Sequence, residues 1–73
     1  MSEDMLVATA TRYEESAQEL DRAAAHLRIA AQHFRDRDVP RGCTHAFAGY
    51  GHIRVVQRQL DEHAEQHRTK AQV

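Results

Sequence analysis

Leu6, Tyr13, Leu20, Leu27 and Phe34 are spaced seven residues apart, and Ala10, Ala17, Ala24 and Ala31 each follow one of them by four. In heptad notation the bulky residues occupy position d and the alanines position a. An apolar period of seven, kept for more than four repeats, belongs to α-helices that wind around a partner in a left-handed sense. A strand alternates with period two and cannot produce it. The residue before each alanine (Thr9, Ser16, Ala23, Ala30) is also small, so the first half of the chain carries a smooth stripe that another backbone can approach closely. The pattern is plainest at Ala23–Ile29 and Ala30–Asp36, where the order small, small, x, His, bulky, Arg occurs twice in succession.

The helix starts and stops can be read from side chains. Ser2 suits an N-cap, and Glu3 and Asp4 place carboxylates in the first turn, where the helix dipole favours them. Arg35 and Arg37 place cations at the opposite end. A first helix is expected over about 3–37, a rod of roughly 50 Å at 1.5 Å per residue. The single proline, Pro40, is the strongest breaker. It disfavours the α conformation at Val39 and suits the first turn of a new helix, with Asp38 as its cap. The sequence therefore predicts a turn at about 38–41 and a second helix over about 40–69, with fraying beyond Thr69. Its d positions are Ala46, Ile53, Leu60 and His67, and its a positions Cys43, Tyr50, Gln57 and Ala64. Gly49 lies on the packing side, where it permits close approach. Gly51 projects outward without a packing reason, and the pair Gly49 and Gly51 marks a place where the helix can kink.

A connection this short makes the helices antiparallel neighbours. The fold class is all-α: one domain over 1–73, an antiparallel two-helix hairpin. A chain of this size buries only roughly 60% of its unfolded surface and usually needs a disulfide, a metal or self-association. Cys43 is the only cysteine, so an internal disulfide is excluded. The expected solution is a homodimer of hairpins, a four-helix bundle. In architecture this is similar to the dimeric hairpin RNA-modulator proteins of plasmids, although no motif is shared.

Ten basic and eleven acidic residues give a net charge of −1. That balance lacks the electrostatic footprint of a nucleic-acid or membrane-surface protein. No apolar run approaches the length of a membrane span. A lone thiol without a leader segment points to a reducing, cytoplasmic setting.

The chemical signal is the six histidines. His26, His33, His45 and His52 all occupy heptad position c, one step outside the apolar stripe. In an antiparallel hairpin, residues at one level have a constant sum of numbers. His33 with His45 and His26 with His52 share the sum 78, as do Glu19 and Gln59, which predicts two histidine pairs on one flank. The simpler reading of position c is a solvated rim. The alternative is a ligand set for zinc, copper, nickel or haem iron. If the rings line a dimer contact, the assembly should loosen between about pH 7 and 5.5. His63 and His67 stand at i and i+4, a spacing that can chelate one divalent ion. They lack the glutamate of a zinc-hydrolase helix motif. No catalytic constellation is evident. The expected role is non-catalytic and cofactor-free, acting through self-association and binding of another protein. A metal- or haem-binding bundle is the alternative.

Overall fold

A computed structural model describes residues 2–68. It contains two helices, α1 (Glu3–Arg35) and α2 (Val39–His67), packed against each other as an antiparallel hairpin. The molecule measures 52 × 26 × 14 Å. The fraying expected from Thr69 to Val73 lies outside the described residues.

Both N-caps are the ones the sequence predicts. The Ser2 hydroxyl accepts the Met5 N–H, and the Asp38 carboxylate accepts that of Arg41. The turn, however, falls earlier than expected, over residues 36–38. α1 ends at Arg35, and Arg37 adopts the left-handed conformation, φ 61°. The Asp38 N–H then bonds the His33 carbonyl and the Arg37 N–H that of Phe34. This is the double closure that normally uses glycine in the left-handed position. Val39 is the first residue of α2, not an extended residue ahead of it. Pro40 becomes the second helical residue, where its missing N–H still has no intrahelical duty. The Asp38 cap outweighs the mild steric preference that proline imposes on Val39. α2 runs unbroken through Gly49–Gly51.

The helices meet one residue away from the expected stripe. The buried residues of α1 are Ser16, Ala23 and Ala30, and those of α2 are Gly42, Gly49 and Val56. Both triplets keep the seven-residue period, but at the heptad position before a. This contact surface is narrow: its buried apolar residues are Ala23, Ala30 and Val56, flanked by the half-exposed Leu27 over Gly49 and Phe34 over Gly42, with no large side chain fully buried among the described residues. Gly49 shows why the backbones can approach so closely. A Cβ there would lie 3.2 Å from the Ala23 carbonyl oxygen and 3.2 Å from Leu27 Cγ.

The other half of the seam is heptad position c. On α1 it carries Arg12, Glu19, His26 and His33, and on α2 His45, His52, Gln59 and Gln66. These side chains bond across the gap: Arg12 donates to Gln66 at 3.0 Å and the Ser16 hydroxyl to Gln59 at 2.6 Å. A column of small residues and a column of polar ones thus hold the hairpin together. Gly51 faces open space, with nothing within 4 Å of a built Cβ. Gly51→Ala should therefore stabilise the protein by about 1 kcal/mol, the helix-propensity difference alone. A higher urea midpoint at unchanged slope would show it, and a lower midpoint would mean that Gly51 does pack.

Candidate functional site

Position c was expected at a rim, but the hairpin closes over it, so the four repeat histidines face one another inside a single chain. Both predicted pairs form. His33 and His45 stack with ring centroids 5.4 Å apart, and so do His26 and His52. The pairs are not separate. His26 and His45, one rung apart, bring their Nδ1 atoms to 3.0 Å, with ring centroids 5.3 Å apart. The result is one continuous ladder that alternates between helices, in the order His33, His45, His26, His52. None of these contacts requires a second copy of the chain.

Glu19 ends the ladder. The His52 Nδ1–H donates to its carboxylate at 2.5 Å, while Arg22, one turn along α1, donates to the other oxygen at 2.6 Å. The predicted partner of Glu19, Gln59, bonds Ser16 instead. The hydrogen bond from His52 is the main influence holding the Glu19 carboxyl below its ordinary pKa; desolvation opposes it, and the charge of Arg22 adds a lesser lowering effect. A carboxyl whose pKa is lower in the folded state stabilises the fold above its unfolded pKa, about 4.3 for glutamate. That contribution disappears as the pH falls through the lowered folded value. The stability gap between the wild type and Glu19→Gln should therefore be full at pH 6 and shrink towards pH 3. A constant gap over that range in urea titrations would mean that the ionised carboxylate has no special role here.

Between His26 and His45, both nitrogens cannot be the same species. One Nδ1 must carry a proton and donate, and the other must accept. The contact is therefore available to a neutral pair of rings of opposite tautomer, or to any single Lewis acid that occupies the gap. Among the described residues, no group of three or more His, Cys, Asp or Glu side chains is arranged to hold a metal ion.

His63 and His67 lie at the open end of the hairpin, away from the ladder. Their centroids are 4.7 Å apart, and His63 packs edge-on against Tyr13 at 4.8 Å. The His63 Nδ1 is buried without a hydrogen-bond partner. Cys43 is a partly exposed free thiol. Sequence reading missed the role of Glu19, although a signal was present: Glu19 stands seven residues before His26 and fourteen before His33, in the same column.

No protein-family model matches the chain, and comparison with curated proteins and with solved structures finds no match either. The functional reading therefore rests on this geometry. Among the described residues, no helix is long and apolar enough to cross a membrane.

Proposed function

We propose that this chain works by self-association. Two hairpins stack face to face into an antiparallel four-helix bundle, whose outer surface binds another protein in a reducing, cytoplasmic compartment. The role is that of a binding module, not an enzyme.

One observation carries this reading. The most regular apolar stripe in the sequence is only partly covered by the hairpin, where Leu27 lies over Gly49 and Phe34 over Gly42. Leu6, Tyr13, Leu20, Leu27 and Phe34 remain roughly half exposed, as do Tyr50 and Leu60 of α2. In an antiparallel pair, reversing one helix keeps a stripe that flanks the seam on the same side of the hairpin. The d stripes of α1 and α2 therefore share one face, and Tyr13 and Leu60 line the same open cleft on it. A second copy fits this face best, because the stripe keeps its heptad period along both helices and so presents matching ridges to a two-fold mate.

The surface area agrees. The chain exposes 5854 Å², whereas a compact monomer of 8.4 kDa exposes roughly 4,600 Å². The excess, about 1,200 Å² on that scale, exceeds the ~800 Å² that one partner contributes to a standard interface. The radius of gyration, 16.8 Å, is likewise well above the ~11 Å of a compact chain this long.

Sedimentation equilibrium of untagged protein tests the reading. The expected mass is about 17 kDa, twice that of the chain. A folded species at the single-chain mass at 100 µM, an arbitrary high concentration on the order of typical assays for weak dimers, would overturn it.

A further inference from the structure

We propose that His26 and His45 form a cross-helix chelate for one divalent transition-metal ion of tetragonal preference, copper(II) or nickel(II). The ion would clip the two arms of a single hairpin together. The inference does not depend on self-association.

The two Nδ1 atoms are 3.0 Å apart. Imidazole binds such ions at about 2.0–2.1 Å. Two ligands at a right angle around an ion at about 2.1 Å are therefore about 3.0 Å apart, whereas two corners of a tetrahedron are about 3.4 Å apart. The spacing suits adjacent positions of a square or octahedral ion better than tetrahedral zinc. Mixed nitrogen and oxygen ligation in tetragonal geometry is typical of copper(II) and nickel(II), and copper(II) heads the affinity order of the divalent first-row ions. The ion would sit about 1.5 Å off the line joining the nitrogens at that bond length, so both rings turn slightly about their outer torsions. Water completes the coordination.

The protons balance. In the metal-free pair one ring is protonated on Nδ1 and the other on Nε2. On binding, both Nδ1 lone pairs go to the metal, and the donor ring moves its proton to Nε2 through solvent. At a pH where both rings are neutral no net proton is released; below it, protons compete with the ion.

The neighbouring rings hold the chelate in place without joining it. His52 stacks on His26 and His33 on His45, each at 5.4 Å. The His52 Nδ1–H is already committed to Glu19. Both ligands sit on rigid helices and are brought together by the seam, so little ordering is needed on binding.

The test uses tag-free protein titrated with copper(II) chloride or nickel(II) chloride at pH 7.5. Calorimetry should give one ion per chain, and His26→Asn or His45→Asn should weaken binding at least tenfold. His33→Asn and the double variant His63→Asn/His67→Asn should bind as the wild type does. Electron paramagnetic resonance of the copper(II) form should show two nitrogen ligands, and one in His45→Asn. Circular dichroism checks that each variant is helical. If His26→Asn and His45→Asn both fail to fold, the nitrogen count of the copper(II) form of His63→Asn/His67→Asn decides: two supports the assignment and one or none overturns it. Binding lost in His63→Asn/His67→Asn but retained in His45→Asn overturns it as well.

Discussion

Gly49→Leu is expected to open the hairpin. Gly49 sits at the centre of the buried glycine column of α2, directly across from Ala23. Even a methyl group there would lie 3.2 Å from a backbone carbonyl oxygen and 3.2 Å from the branch carbon of Leu27. Leucine adds three more carbons, and the carbonyl cannot move without α1 moving as a whole. The helices must separate, which withdraws Ala23, Ala30 and Val56 from one another. Overpacking a core typically costs about 1–3 kcal/mol. Here the strained contact is the core, so the upper end of that range is expected, about 3 kcal/mol. A domain this small has a total stability on the order of 5 kcal/mol, and most of it would be lost. Urea unfolding followed by circular dichroism measures the effect. Gly49→Leu should unfold at a far lower urea concentration than the wild type, while Gly51→Ala unfolds at a higher one. Two glycines two residues apart in one helix would then respond in opposite directions. Propensity alone favours both substitutions, so opposed signs identify the packed seam. A Gly49→Leu protein as stable as the wild type would mean that the arms do not touch at this level.

The second large effect is expected on the opposite surface. Leu20 and Leu60 are 48% and 44% exposed in the hairpin and lie on the same flank, one on each helix. In a lone hairpin, Leu20→Glu with Leu60→Glu should cost little, since both side chains already reach solvent. In the proposed dimer each substitution occurs twice, placing four carboxylates in the contact. An unpaired charge removed from water costs several kcal/mol even after relaxation. A conservative figure of about 1 kcal/mol per carboxylate amounts to about 4 kcal/mol, nearly a thousandfold in the dissociation constant. Sedimentation should show the double variant at the single-chain mass under conditions where the wild type is expected at twice that mass. The charge-matched control is Gln18→Glu with Ala25→Glu, at exposed positions facing away from both the seam and the apolar flank. It should leave the mass unchanged. If both double variants dissociate, added negative charge rather than the apolar face is responsible. If neither does, the chains meet elsewhere.

These two surfaces separate what a linear reading can and cannot reach. The helix starts at Ser2 and Asp38 were legible because capping is local: a side-chain oxygen meets an N–H three residues on. The pairing of His33 with His45 and of His26 with His52 was legible because a short turn fixes the register of an antiparallel pair. The exact turn was less so. Arg37 in a left-handed conformation carries none of the usual marks of such a position, which glycine or asparagine normally fills. The link between His26 and His45 was not legible either. Adjacent rungs of an antiparallel pair are staggered, and the side-chain torsions decide which neighbour each ring meets.

By itself the sequence determined two long helices, their N-caps, their antiparallel order and a seven-residue repeat on each. Only the tertiary structure decided which of two neighbouring stripes became the inner seam. Both stripes share the same period, so periodicity cannot choose between them. The choice falls to the distance between backbones: Gly49 lets the helices close until the Ala23 carbonyl oxygen nearly touches it, and Gly42 leaves room for the Phe34 ring. The bulky d residues would hold them farther apart. That one-residue rotation turns the histidines inward to face each other and leaves the leucines roughly half exposed.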